Sequence, residues 1–210
     1  MDIKKDIKSA QKKLGIKKLR KHQVKPINSI LDYQDTMVIA PTSAGKSAIY
    51  QIPALIFPGM TLAIEPTISL MHDQANKLKE HGINACHIDS TVPAYERSRI
   101  LGRVAKGKVK ILFVTPERLQ NHKFLEAIEG ADISMIVIDE CHCVTSWGYG
   151  FRSDYLEIGT FIGTLHCKPI IAALTATATM RPTIHEPARS VCQQVTSAQF
   201  AFYEAFLCIR

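Results

Sequence analysis

The stretch Ala40-Pro41-Thr42-Ser43-Ala44-Gly45-Lys46-Ser47 and the adjacent pair Asp139-Glu140 hold the residues best suited to chemistry. Backbone N–H groups can wrap around phosphate oxygens only where side chains are small, as at Thr42, Ser43, Ala44 and Gly45. Lys46 then places a point charge on the β- and γ-phosphates, and the Ser47 hydroxyl joins the shell of a Mg²⁺ ion. The first position is Ala40 where the usual pattern has glycine, so the loop alone also fits a polar turn capping a helix. The carboxylates narrow the choice. Two of them side by side at the end of a buried strand are costly unless a cation sits beside them. Next to a phosphate loop that cation is Mg²⁺, held by Asp139 through its water shell, while Glu140 orients and activates the attacking water. A helix cap using Asp139 would explain one carboxylate and not two.

Both groups need strands to deliver them. Met37-Val38-Ile39-Ala40 reads as a buried strand, and Ala48 to Ile52 suits the helix after the loop. Strands are expected at Thr61–Ile64, Ala85–Ile88, Val109–Val114, Ile133–Ile138 and Pro169–Leu174. Between them, helices are expected at Ile68–Leu78, Pro93–Ala105 (with proline in its first turn), Phe124–Ile128 and Tyr155–Leu165, with helical turns at Glu117-Arg118-Leu119. Apolar runs without alternation, separated by helices, mean a parallel sheet covered on both faces. The fold class is therefore α/β: a doubly wound, mostly parallel sheet with ligands at the C-terminal ends of its strands.

The 210-residue chain is 46% hydrophobic and long enough to bury a proper core. No apolar run reaches the roughly 18 residues of a membrane span, and the N-terminus has no secretory pattern. Six scattered cysteines without a C-x-x-C pair argue against a disulfide scaffold or structural zinc, and for a reducing, cytoplasmic setting. Adjacent residues at a strand end point to different sides, which argues against Cys141-His142-Cys143 as a metal site. The net charge of +7 is uneven: residues 1–25 carry ten Lys/Arg against two Asp, a balance of +8, and the remainder balances at −1. Ile3, Ile7 and Leu14 recur at helical spacing in this arm, so one stripe can pack and the lysines face outward. Such a face is either simply solvated or attracts nucleic-acid phosphates without sequence preference.

Three blocks in order, Ala40–Ser47, Asp139-Glu140-Cys141-His142 and Ala173-Leu174-Thr175-Ala176-Thr177-Ala178-Thr179, resemble superfamily 2 helicases. The run from Asp139 through Ser146-Trp147-Gly148-Tyr149-Gly150-Phe151-Arg152 to Tyr155 is similar to the RecQ group, as are Tyr50–Leu55, Glu65–Gln74 and Phe113–Leu119. The resemblance runs from about Leu14 to Thr179 and implies an ATP-dependent 3′-to-5′ DNA helicase, with ATP and Mg²⁺ as cofactors and single-stranded or partially duplex DNA as partner. It places Gln23 at the adenine edge, where an amide can pair with both a donor and an acceptor, and Arg20 against that base. It gives Trp147, Phe151 and Arg152 to a loop that couples single-stranded DNA contact to hydrolysis by stacking and phosphate contact. Ser69, Asp73 and the Thr115-Pro116-Glu117 turn fall where the group meets the DNA backbone. His142, Thr175 and Thr177 fall where it relays between the nucleotide and DNA sites.

The pattern is not followed everywhere. Ile16 stands where the group usually has an aromatic residue beside adenine, Ser43-Ala44 replaces two glycines, and Cys141 replaces an alanine. From Met180 the match ends, and Pro182 and Pro187 interrupt the helix expected there. The expected organisation is one RecA-like ATP-binding domain over residues 1–179, including the basic arm 1–25, and an unassigned tail over 180–210. The second lobe, with its arginine for the γ-phosphate, is expected to be absent from this chain. The other reading is a non-catalytic nucleic-acid-binding module with a vestigial ATPase.

Overall fold

Six parallel strands form one sheet in the order β1-β6-β5-β2-β4-β3. They are β1 (Thr36–Ile39), β2 (Met60–Ile64), β3 (Ala85–Ile88), β4 (Ile111–Val114), β5 (Ile133–Ile138) and β6 (Ile170–Thr175). The helices are α1 (Ile3–Lys13), α2 (Lys21–Leu31), α3 (Lys46–Ile56), α4 (Ile68–Glu80), α5 (Ala94–Val104), α6 (His122–Glu129) and α7 (Glu157–Thr164). Short 3-10 turns occupy Thr42–Ala44 and Pro116–Gln120. This computed structural model describes residues 2–141 and 157–176. No helix among them is long and apolar enough to cross a membrane.

Alternation along each strand divides the core in two. Ala63, Ile111, Phe113, Met135 and Val137 face one layer with α1 to α4, where Ile27, Ile30, Ile49, Ile52 and Met71 are fully buried. Leu62, Ile64, Leu112, Val114, Ile136 and Ile138 face the other, against Ile100, Phe124, Ile158 and Phe161 of α5, α6 and α7. Burial on both faces is the reason these strands read as continuous apolar runs. Neighbours align closely: Thr36 pairs with Ala172, Ala63 with Val137 and Cys86 with Leu112.

Several expected boundaries move. The helix after the loop continues through Pro53 to Ile56. A proline there forfeits a backbone hydrogen bond and costs about 3 kcal/mol, which the burial of Ile49, Ile52 and Ala54 offsets. Pro93 is the residue before α5 rather than a member of its first turn. α2, unforeseen, forms despite Pro26 because Ile27, Ile30 and Leu31 pack beneath it. The stripe on α1 is Ile7, Ala10 and Leu14 on the core, while Ile3 is exposed.

Candidate nucleotide site

The N-terminus of α3 is built for an anion. Gly45, the residue before it, adopts φ +75°, where L side chains are strained, and a Cβ there would lie 2.9 Å from Gln23 Nε2. Among the described residues no side chain caps α3, which leaves its first N–H groups to phosphate oxygens. Lys46 opens the helix and is buried, and its Nζ lies 3.4 Å from Glu140 Oε1. That ion pair joins the loop after β1 to the turn after β5, across β6, and all three strand ends lie on the same edge of the sheet.

Asp139 continues β5, its N–H donating to the Ile64 carbonyl at 3.0 Å, and it is buried. Glu140 follows in the left-handed region at φ +49°, its N–H held by Asp139 Oδ1 at 2.8 Å. The bend brings the Glu140 carboxylate to Lys46 beside the buried Asp139, at a backbone conformation that side chains rarely adopt.

A third carboxylate stands beside them. Glu65 directly follows β2, next to β5, and is 2% exposed. Burial, and then Asp139, push its carboxyl up to about 8, so at neutral pH Glu65 keeps its proton and its O–H donates a hydrogen bond to Asp139. Burial also raises Asp139, against Lys46 and the Glu140 N–H, which act to lower it. Glu65 Oε1 is buried without a hydrogen-bond partner among the described residues. From Glu65 a polar chain runs inward: Gln74 Nε2 donates to Glu65 Oε2 at 3.5 Å, the Tyr50 hydroxyl donates to Gln74 Oε1, and Ser47 hydrogen-bonds Tyr50. Burial holds the Tyr50 phenol far above its usual range, so it stays a neutral donor. Buried carboxyl groups clustered beside Lys46, with one Glu65 oxygen unanswered, fit a divalent cation with Ser47 and Asp139 among its holders.

The residues expected beside adenine, at the start of α2, contact the loop. Gln23 accepts the Arg20 N–H at 2.8 Å and donates to the carbonyls of Gly45 at 2.9 Å and Ala44 at 3.4 Å. Arg20 donates to the Ser43 carbonyl at 2.7 Å. Both amide ends of Gln23 are thus engaged by the loop and its own helix. Ile16 packs on the first core layer.

Among the expected DNA-contacting residues, Ser69 and Asp73 are exposed one helical turn apart on α4. Thr115 and Pro116 are buried at the end of β4, with Glu117 exposed beyond them. Thr175 ends β6, and its carbonyl accepts from Ala40 N–H at 3.0 Å. His142, Trp147, Phe151, Arg152, Thr177 and the tail 180–210 lie outside the described residues. The lysines of α1 are exposed, but Asp6, Ser9, Ala10 and Lys13 border a cleft with Asn84 and Lys110, which precede β3 and β4. That is the edge opposite the phosphate loop. In the sequence Glu65 stands out only as part of the Glu65–Gln74 block; its place beside Asp139 depends on β2 lying beside β5, which no spacing reveals.

Residues 20–186 match the DEAD/DEAH box helicase family. The chain is 43% identical over 182 residues to the ATP-dependent DNA helicase RecQ of Bacillus subtilis, covering 86% of this chain and 30% of that protein. It is 40% identical over 164 residues to RecQ of Haemophilus influenzae, covering 78% and 26%. The chain thus spans under a third of the length of these relatives. Among solved structures, a hypothetical ATP-dependent RNA helicase from Sulfolobus tokodaii superposes with a TM-score of 0.67 at 24% identity, over 92% of this chain and 54% of that one. The Pyrococcus furiosus Hef helicase domain does so at 0.59 and 21%, over 85% and 37%. At such identities these two likenesses concern the fold alone.

Proposed function

The chain belongs to the DEAD/DEAH box helicase family, and from that premise we propose that it is the ATP-binding lobe of a RecQ-type, 3′-to-5′ DNA helicase working in the cytoplasm. The observation that carries the reading is the buried Lys46 beside Glu140 and Asp139, assembled from β1 and β5 at one edge of the sheet. In this reading the α3 N-terminus and Lys46 hold the phosphates of ATP. Lys46 exchanges Glu140 for phosphate oxygen, which frees the Glu140 carboxylate to take a proton from the attacking water. Ser47 and Asp139 would hold Mg²⁺, which supplies charge neutralisation between the phosphates. Gln23 releases the loop carbonyls to pair with adenine, and Arg20 packs on that base.

Single-stranded DNA is proposed to cross the same edge, over Ser69 and Asp73 of α4. The loop carrying Trp147, Phe151 and Arg152 stacks on its bases, and His142, Thr175 and Thr177 relay contact to the nucleotide. A second RecA-like lobe completes the site with an arginine, a contribution of about 10³–10⁵ in rate in related NTPases. The basic arm is left as a solvated face, because α1 packs toward the opposite edge.

Calorimetry with Mg·ATP, an ATPase assay with and without single-stranded DNA, and strand displacement test the proposal on the 210-residue chain. Weak Mg·ATP binding, slow DNA-stimulated hydrolysis and no unwinding are expected. Lys46→Ala should weaken Mg·ATP binding by about 10- to 100-fold, the worth of a hydrogen bond to a charged group. Trp147→Ala should leave ATP binding intact and blunt the DNA stimulation. ATP and DNA binding without any turnover, even with a second lobe added, would establish the non-catalytic module instead.

A further inference from the structure

At the outer edge of the sheet, α4 lies over β3 and three metal-type donors converge. His72 is on α4, His87 is on β3 and Asp89 directly follows that strand. Residues 85, 87 and 89 share the strand face that α4 covers, since Ala85 packs in the same layer as Met71, Ala75 and Leu78. His72 Nε2 lies 2.9 Å from Asp89 Oδ2, and His87 Nε2 lies 4.0 Å from the same oxygen. The imidazole ring centres are 4.1 Å apart, and one donor atom from each of the three residues falls within 4.8 Å of the others.

The hydrogen bonding of this cluster is lopsided. Asp89 is fully buried, and its Oδ1 accepts from the Thr91 N–H at 2.7 Å and from the Thr91 hydroxyl. Its Oδ2 is left to the imidazoles, of which only His72 is within hydrogen-bonding distance. Among the described residues His87 Nδ1 is buried without a partner, and its Nε2 stops beyond hydrogen-bond range of Asp89. A buried ring nitrogen left unpaired is an unanswered cost.

Two imidazole nitrogens and one carboxylate oxygen suit a borderline-soft divalent ion of the zinc type, and suit Mg²⁺ or Ca²⁺ poorly. Tetrahedral zinc with bonds of about 2.0–2.1 Å sets its donors about 3.3 Å apart, which lies between the observed 2.9 and 4.0 Å. Thr91 already supplies the outer hydrogen bonds that fix a ligating carboxylate. His72, about one-third exposed, leaves the fourth position facing water. Cys86 is not a ligand, because it points to the other face, where Arg103 donates to its sulfur at 3.3 Å. We propose that His72, His87 and Asp89 form a binding site for one zinc-type divalent metal ion, with water in the fourth position. Such an ion ties α4, with Ser69 and Asp73, to the edge strand.

The test is titration of the metal-free 210-residue chain with Co²⁺ as a spectroscopic probe, followed by displacement with Zn²⁺. One equivalent with tetrahedral visible bands and no thiolate charge-transfer band is expected. Zn²⁺ at 100 times its Kd should raise Tm by about 5–10 °C. His72→Ala and His87→Ala should each weaken binding by more than the roughly 10- to 100-fold that outer-shell partners cost. His72 is partly exposed, so its variant decides the matter if others misfold; circular dichroism checks each fold. No binding, a thiolate band, or unchanged affinity in folded His72→Ala overturns the site.

Discussion

Two groups of buried carboxylates stand on one edge of this sheet, and their protons behave in opposite ways. At the ends of β2 and β5, burial lifts Glu65 and Asp139 above the usual carboxylate range. After β3, Asp89 is at least as inaccessible to solvent, yet its carboxyl is held below that range. Burial acts to raise Asp89 too, but the Thr91 hydroxyl and N–H and the nearby His72 outweigh it. Depth alone therefore does not set the charge; donors do. The first group faces other carboxylates, and in the proposed function a cation bound with the nucleotide would answer it. The second is already answered by the chain itself.

The contrast breaks most visibly at Glu140. Glu140→Gln should bind Mg·ATP like the parent and lose about 10²–10⁴ of its turnover, the usual worth of a general base. Parent-like hydrolysis in that variant would remove Glu140 from the chemistry. Next in size is Asp89→Asn, which spoils charged hydrogen bonds and should cost about 1.5–3 kcal/mol in urea unfolding with chelator present. A neutral result would mean that Asp89 is no better satisfied than Glu65.

Glu65→Gln sharpens the comparison through pH. A carboxyl raised from 4.5 to about 8 on folding contributes stability that is complete below pH 4.5 and lost as pH climbs through about 8. Without metal, the parent should therefore lose stability between those values, and Glu65→Gln should flatten that slope in urea midpoints. Asp89 has the opposite sign: its contribution is present above 3.8 and lost as pH falls through its lowered folded value. Parallel parent and Glu65→Gln curves would leave Glu65 ionised and the contrast void. The smallest effect is expected for Thr91→Val, which removes one hydroxyl donor from Asp89 and should cost about 1 kcal/mol.

The sheet itself was largely legible, for local reasons. β3 and β5 begin and end where their apolar runs do, because both faces of each strand are covered. The phosphate loop, Lys46 and the Asp139-Glu140 pair were readable because each is a contiguous motif. α2 was hidden by Pro26, whose local preference is overruled by packing against Ile27 and Ile30. Glu65 and the His72–His87–Asp89 cluster were hidden for another reason. Each depends on which strand neighbours which, and on α4 lying over β3, relations absent from any spacing along the chain. The exposure of Ile3 shows the same limit, since periodicity predicts a stripe but not where its partner surface ends.

One stretch of α4 joins these regions. His72, Asp73 and Gln74 are consecutive, so their side chains leave the helix about 100° apart. His72 turns to the edge-strand cluster, Asp73 to solvent on the proposed strand path, and Gln74 to Tyr50 and Glu65 beside the phosphate loop. The helix is in effect a camshaft with three lobes on one short length of shaft. A few degrees of rotation driven from any one bearing must reset the other two together.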